Sequence, residues 1–191
     1  MKVAGIDYSM TCPAITVIDI DNVNDEVTYE KCNFYYYTDK KKFDLIIKPI
    51  HGKLQTFYSS QMERFNLISE WVMPIIRDCV YIGIEDYSMG SKGKVFHIAE
   101  NTGIIKHKMW RAGLKVEAFP PSIIKKFATG KGNADKFKME EKFIEETGVN
   151  FKKIIEQTEK QWSPSGDLID SYYIAKIALE KYKELDNMDN V

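Results

Sequence analysis

Residues 3–11 have the sequence Val-Ala-Gly-Ile-Asp-Tyr-Ser-Met-Thr, and a second apolar run follows from Ala14 to Ile20. This pattern predicts a strand that ends in an acid, a tight turn, and a second strand that runs back beside the first. A carboxylate at the end of a buried strand is poorly solvated unless a positive group meets it. Asp7 is therefore either a turn residue that accepts backbone N–H groups or a ligand for a divalent metal.

The composition is typical of one globular domain. The chain has 191 residues, 44% hydrophobic and 29% charged, and we treat residues 1–191 as a single domain whose polar tail frays from about residue 186. Its net charge of -1 argues against a general polyanion binder but allows local basic patches. Cys12, Cys32 and Cys79 form no CxxC pair, which indicates neither a zinc site nor a disulfide framework. No apolar run has the length of a signal peptide or membrane span, so we expect a cytoplasmic protein with no membrane partner.

The predicted elements define an α/β fold. Three antiparallel strands are predicted at residues 2–7, 14–20 and 26–37, whereas residues 43–56 are undefined because Pro49 and Gly52 interrupt the pattern. Further helices are predicted over 57–76, 95–111, 122–128, 134–147 and 167–185, and further strands over 80–84 and 115–119. This order predicts a mixed five-stranded sheet, three antiparallel strands followed by helix-linked strands, with helices on both faces.

Four carboxylates occupy comparable places in this pattern. Asp7 and Glu85 end predicted strands, and Asp167 and Asp170 open the last helix, three residues apart on one helix face. An acid in a first helical turn is explained by the helix dipole, which suffices for Asp167. It does not suffice for Asp170, which lies on or beside an apolar stripe and has no histidine or arginine close in sequence.

These acids could collect at one point of the fold. Four carboxylates there would repel one another unless cations bind between them. Oxygen ligands of this kind suit Mg²⁺ or Mn²⁺ rather than zinc. Two such ions about 4 Å apart can activate a water and stabilise the leaving oxygen in phosphodiester cleavage.

At these residues the sequence resembles the RuvC family of Holliday junction resolvases, within the ribonuclease H-like superfamily. Four blocks carry the resemblance, in the family's order and across most of the chain: Gly5-Ile6-Asp7; Ile84-Glu85; residues 119–125 (Phe-Pro-Pro-Ser-Ile-Ile-Lys) leading to 129–136 (Thr-Gly-Lys-Gly-Asn-Ala-Asp-Lys); and Asp167-Leu168-Ile169-Asp170-Ser171.

The resemblance implies a homodimeric endonuclease that nicks four-way DNA junctions symmetrically, with two Mg²⁺ ions per active site that Mn²⁺ can replace. It assigns the metal-ligand role to Asp7, Glu85, Asp167 and Asp170. It places Lys125 and Lys136 where the family has lysines that approach the scissile phosphates, and it makes Lys136 a catalytic residue. The cytoplasm of a bacterial or phage-infected cell is the expected compartment.

The sequence departs from the family at two motifs. Tyr8-Ser9 stands where the family has Pro-Gly after the first acid, and Ser88 stands near the position of a family aromatic that stacks on junction bases. The 38–56 insert also looks longer than usual. These departures affect the contacts to the junction core and the cleavage-site preference, and they suggest a phage or viral member of the family.

The basic residues are concentrated in one part of the chain. Residues 92–142 hold twelve basic and five acidic side chains, a net charge of +7, which leaves -8 for the remainder. Such asymmetry is typical of a phosphate-binding surface. Lys138 and Lys142 are instead expected to pair with Glu141 and Glu145 on a helix surface. The predicted DNA-binding residues are Tyr87, Ser88, Lys92, Lys94, Lys125, Lys131, Asn133 and Lys136.

The 95–111 helix has two apolar faces. One stripe should face the sheet: Val95, Ile98, Ala99, Thr102, Ile105 and Met109. The other face supplies the predicted dimer interface: Phe96, Gly103, Ile104 and His107. Gly103 in mid-helix costs roughly 1 kcal/mol relative to alanine, so it indicates a close approach by another backbone. The alternative is that Gly103 packs against the protein's own strands or its 57–76 helix.

Three other functions compete with junction resolution. A nuclease acting on forks, flaps or other branched replication intermediates would have the same acids. A non-catalytic branched-DNA-binding protein should have lost at least one acid, and none is missing. An actin-like or sugar-kinase ATPase needs a glycine-rich phosphate turn, and residues 8–11 contain no glycine.

Overall fold

A computed structural model describes residues 1–86 and 95–189 of the chain. The strands are β1 Lys2–Asp7, β2 Ala14–Asp19, β3 Cys32–Thr38, β4 Ile46–Ile47, β5 Ile50–Leu54, β6 Tyr81–Glu85 and β7 Val116–Phe119. The helices are α1 Gln61–Ile76, α2 Val95–Arg111, α3 Pro121–Thr129, α4 Lys136–Thr147, α5 Phe151–Ile154 and α6 Ser165–Asp189. None of the helices within the described ranges is both long enough and apolar enough to cross a membrane.

The strands form one mixed sheet in the order β4-β5-β3-β2-β1-β6-β7. The first three strands are an antiparallel meander, and β6 and β7 extend it in parallel with β1. One face packs against α6, and the other packs against α1 and α2 through residues such as Ile68, Val72 and Ile105. The predicted α/β class, with helices on both faces of a mixed sheet, is confirmed.

Within the described residues the sheet has seven strands rather than the predicted five. The two additional strands, β4 and β5, occupy the undefined 43–56 segment, and β5 pairs in parallel with β3. Gly52, which argued against a strand, is required there because a Cβ at this position would lie 2.4 Å from the Tyr36 hydroxyl. That hydroxyl donates a 2.8 Å hydrogen bond to the Phe43 carbonyl. A glycine is compatible with a strand where another group, here the Tyr36 side chain, packs closely against its backbone.

Helix α1 begins at Gln61, four residues after the predicted start. The Ser60 side chain caps it by accepting a 3.2 Å hydrogen bond from the Glu63 backbone N–H. The Glu63 carboxylate in turn accepts hydrogen bonds from Ser59, which closes the helix start. Phe57 therefore lies outside the helix and is 86% exposed, and Met62 in the first turn is 59% exposed.

Three other boundaries differ from the predictions. The third strand begins at Cys32 rather than residue 26, because residues 29–31 form a short 3-10 turn. Helix α3 begins at Pro121 rather than residue 122, with Pro120 in the capping position. Helix α6 extends from Ser165 to Asp189, beyond the predicted 167–185 range.

Helix α6 lies directly on the sheet because two glycines remove side chains from its path. Gly5 and Gly83 are register partners on β1 and β6. A Cβ on Gly5 would lie 2.1 Å from the Ala175 backbone nitrogen, and one on Gly83 would lie 2.8 Å from Ile174. A buried 2.8 Å hydrogen bond between the hydroxyls of Thr16 and Ser171 fastens the helix to β2. These contacts fix where the first turns of α6 lie on the sheet.

Candidate active site

Asp7 and Glu85 lie at the carboxyl ends of neighbouring parallel strands. The pairing of β1 with β6 aligns Ile6 with Ile84, and the two acids are the next residues on their strands. Adjacent strands are about 4.8 Å apart. Side chains two residues apart on a strand share a face, so both acids point to the face on which Gly5 and Gly83 contact α6.

Asp167 and Asp170 come to the same place from α6. Asp170 directly precedes Ser171, whose carbonyl oxygen would lie 2.3 Å from a Cβ on Gly5, and Asp167 lies one turn earlier. The charges of Glu85, Asp167 and Asp170 all act on Asp7. The structure therefore brings together all four acids predicted from the sequence.

The four carboxyl groups have elevated pKa values. Asp7 is buried, and burial together with the three neighbouring carboxylates raises its pKa well above the usual range. Burial, followed by the charges of Glu85 and Asp167, raises the pKa of Asp170 to about 7. Burial also raises the pKa values of Glu85 and Asp167. Without a cation the site favours protonated acids, as expected for like charges held together away from water.

Two lysines oppose this effect. Lys136, the first residue of α4, lowers the pKa values of all four acids. Lys125 on α3 acts in the same direction on Glu85 and Asp170. The Pro120–Pro121 start of α3 and the Asp135 cap of α4, which accepts a 2.9 Å hydrogen bond from the Lys138 backbone N–H, set the positions of these helices.

Three residues near Asp167 were not predicted from the sequence. The Ser163 hydroxyl and the Cys12 thiol lower the pKa of Asp167 by hydrogen bonding, and the Lys40 charge adds to this. They come from three separate loops, and no local motif marks them. The Asp167 Oδ2 atom is shielded from solvent and has no hydrogen-bond partner within the described chain.

The chemistry of the acid cluster fits a hard divalent cation. Every candidate ligand is a carboxylate, and one buried oxygen of Asp167 lacks a partner among the described residues. In the described residues no three acidic, histidine or cysteine side chains already stand in metal-binding geometry. A cation bound between the carboxylates would offset their mutual repulsion. Asp7, Glu85, Asp167 and Asp170 are the residues that could hold it.

The other predicted DNA-binding residues lie in the loop between α3 and α4 or outside the described ranges. Lys131 and Asn133 are exposed in the loop between α3 and α4, which follows the left-handed Gly130. Tyr87, Ser88, Lys92 and Lys94 lie outside the described residues. As expected for a helix surface, Lys138 and Lys142 pair with Glu141 and Glu145 at 2.7 and 2.5 Å.

The predicted dimer face of α2 is open to solvent. Phe96 is 82% exposed, Gly103 and His107 are also exposed, and Ile104 is half-buried. In the described chain, nothing lies within 4 Å of a Cβ built on Gly103. The alternative, that this glycine packs against the protein's own strands or α1, is therefore wrong.

The opposite stripe of α2 faces inward for only part of its length. Thr102, Ile105 and Met109 are buried as predicted, but Val95 is 41% exposed and Ile98 and Ala99 are half-buried. His97 is exposed on the helix surface, with its Nδ1 atom 3.3 Å from the Glu100 carboxylate.

Comparison with known proteins finds solved structures of similar architecture. No protein-family model matches the sequence, and no curated protein matches it. The structure of Thermus thermophilus RuvC aligns with a TM-score of 0.61 and 17% identity over 92% of this chain and 91% of that chain. T. thermophilus RuvC in complex with Holliday junction substrate gives 0.60 and 19% over 92% and 90%.

A Fowlpox virus resolvase with its substrate Holliday junction DNA aligns with a TM-score of 0.49 and 14% identity over 95% of this chain and 99% of that chain. The two RuvC alignments span nearly the whole of both chains. The resemblance carried by the four sequence blocks is thus confirmed at the level of the fold, and the chain has the fold of RuvC.

Proposed function

We propose that this protein is a metal-dependent endonuclease that resolves four-way DNA junctions. The observation that carries the proposal is the convergence of Asp7, Glu85, Asp167 and Asp170 at the carboxyl ends of β1 and β6, in a chain with the RuvC fold. A similar fold has been solved with Holliday junction substrate, which supports branched DNA as the ligand.

In this proposal the four carboxylates hold Mg²⁺, and Mn²⁺ can replace it. Two bound ions would supply an activated water and stabilise the leaving oxygen of the phosphodiester. The half-buried position of Asp167 and Asp170 restricts water around the site and strengthens their interaction with charged ligands.

Lys136 and Lys125 are the proposed contacts to the scissile phosphate. Their positive charges already reach the acid cluster, so a phosphate bound there would lie between carboxylates and ammonium groups. Lys136 is exposed at the start of α4, and Lys125 is half-buried in the middle of α3, which leaves both ammonium groups accessible to DNA. Lys131 and Asn133 extend this surface and are proposed to contact the backbone further from the cut.

Symmetric cleavage requires two active sites, so we propose a homodimer formed through α2. Gly103, Ile104 and His107 line a groove of about 370 Å³ together with Met62 of α1. This groove and the exposed Phe96 ring offer apolar surface that one chain leaves uncovered. A two-fold axis there would use the same surface of both protomers.

The test is cleavage of a substrate panel in Mg²⁺: a four-way junction, a three-way junction, a flap and linear duplex. Paired nicks at symmetric positions of the four-way junction, absent in Asp7→Asn, are expected. Preferential cleavage of the flap or three-way junction would favour a nuclease for other branched DNA. Binding of the four-way junction without cleavage of any substrate would favour a non-catalytic role.

A further inference from the structure

Two aromatic side chains lie beside the acid cluster and are not used by the proposed chemistry. Phe137 directly follows Lys136 on α4 and is 65% exposed. Trp162 directly precedes Ser163, whose hydroxyl acts on Asp167. The two rings meet edge to face, with centroids 4.7 Å apart and planes at 79°. We call this pair the aromatic platform.

The platform is joined to the acid cluster from two independent elements. On the helix side, the Lys136 ammonium lies 5.9 Å from the Trp162 ring centroid while its charge acts on all four acids. On the loop side, adjacent residues place Trp162 in the platform and Ser163 against Asp167. A ligand group on the platform would therefore lie next to whatever the acids and Lys136 bind.

A buried polar network holds Trp162 in place. Lys152, only 2% exposed, lies 4.4 Å from the Trp162 ring centroid and donates a 2.7 Å hydrogen bond to Glu140. Buried Gln157 donates to the Gln161 carbonyl at 2.7 Å and accepts from the Ser165 backbone N–H at 3.1 Å. Burying a lysine and a glutamine is costly unless both are satisfied, so these contacts favour one position of the loop.

We propose that Phe137 and Trp162 form a stacking site for one unstacked DNA base beside the scissile phosphate. The inference rests on the proposed function, because it takes the acids and Lys136 as the place where a phosphate is cut. Aromatic faces next to a cationic backbone contact are the usual means of binding single-stranded nucleotides. A base freed from its stack at the branch point would gain such a surface, and its phosphate would be held next to Lys136.

The decisive experiment combines protein and DNA changes. Single-turnover cleavage of a four-way junction is measured for wild type, Phe137→Ala, Trp162→Phe and the control Phe57→Ala. The control removes an exposed ring in the segment that precedes α1. Each protein is tested on a set of junctions. Every junction carries a single abasic site, placed at a different one of the nucleotides that flank the cut. Losing one base–aromatic stack should slow cleavage roughly tenfold.

The expected result is one position at which the abasic site slows the wild type about tenfold but slows Phe137→Ala no further. Phe57→Ala should match wild type, and Trp162→Phe should retain most of the activity because it keeps a ring. Equal cleavage by Phe137→Ala and Phe57→Ala would overturn the proposal. Equal slowing of wild type and Phe137→Ala at every abasic position would do so as well, because the ring would then act without contacting a base.

A second measurement separates this site from the proposed function. If the wild type cuts no junction, the proposed function fails, and the platform is judged by fluorescence instead. The chain has three tryptophans, so a Trp71→Phe/Trp110→Phe variant leaves Trp162 as the single indole reporter. Binding of oligothymidine should quench its emission, and adding Phe137→Ala should weaken that binding about tenfold. Unchanged emission at saturating oligothymidine would contradict the stacking site.

Discussion

Charged side chains are buried in two neighbouring regions of the protein, and the regions differ in how far these charges are paired with opposite charges. At Lys152 one buried ammonium is matched by Glu140 and Glu159, at 2.7 and 3.3 Å. At the ends of β1 and β6 four carboxylates are gathered with only partial compensation from Lys136 and Lys125. The paired charge belongs to the framework of the fold, whereas the uncompensated charge is a cost to stability that a ligand would relieve.

The largest effect on stability is expected from breaking the paired region. Lys152→Met leaves Glu140 without its partner, with its side chain only 14% exposed. Removing one member of a buried ion pair should lower the free energy of unfolding by about 3 kcal/mol. Urea denaturation measures this, with Lys153→Met, an exposed neighbour on the same short helix, as control. Equal stability of the two variants would show that the Lys152 pair does not support the fold.

The acid cluster should make the stability of the metal-free protein decrease as the pH rises. Its folded-state pKa values lie above those of the unfolded chain, with that of Asp170 at about 7, so the folded state binds more protons in between. Stability without metal should therefore fall by on the order of 2 kcal/mol as pH rises from about 4 to 7. Thermal denaturation in EDTA measures the fall, and Mg²⁺ should reverse it above pH 7. Asp21→Asn is the control and should behave as the wild type. A stability that rises with pH over this range in both proteins, and that Asp170→Asn does not change, would contradict this prediction.

Removing the positive charge of Lys136 should raise the pKa values of the acid cluster further. Lys136→Ala leaves the acids without their main positive neighbour, so the acidic limb of the cleavage rate should move to higher pH. The salt dependence of junction binding should also decrease by about one unit of slope. The control is Lys138→Ala, two residues after Lys136, which removes a lysine that is paired with Glu141. It should change neither quantity. The same pH profile and slope in both variants would place Lys136 outside the site.

The smallest effect on the fold is expected at Gly103. Because open space surrounds this position in the described chain, Gly103→Ala should raise helix stability by up to about 1 kcal/mol. Gly103→Leu should shift the proposed dimer toward monomer while circular dichroism remains unchanged. Sedimentation at micromolar concentration tests this. A wild-type monomer that still nicks both strands in step would contradict a dimer through α2.

The residues that could be predicted from sequence are those whose role follows from local pattern. Asp7 and Glu85 end apolar runs, and Asp167 and Asp170 have a three-residue helical spacing, so local geometry indicates where each acid lies on its own element. Their meeting at one point depends on the pairing of β1 with β6 and on the packing of α6 against the sheet. The fold class follows in the same way from the alternation of strand and helix patterns.

The residues that were missed depend on contacts between distant segments. Cys12, Lys40 and Ser163 reach Asp167 from separate loops, and Gly52 admits Tyr36 from another strand. The sequence does not indicate that Lys152 is a core residue, because a lysine is normally exposed. Its burial becomes favourable only after α4 and the 157–165 loop surround it.

The most direct test of the acid cluster measures stability and cleavage in one variant, Asp170→Asn. If the cluster is a metal site, removing one repelling charge should raise the free energy of unfolding in EDTA at pH 8 by on the order of 2 kcal/mol. The same variant should lose at least about 100-fold in Mg²⁺-dependent cleavage of the four-way junction. A variant that is less stable than wild type in EDTA, or that cleaves at the wild-type rate, would contradict the proposal that these acids are gathered to bind metal.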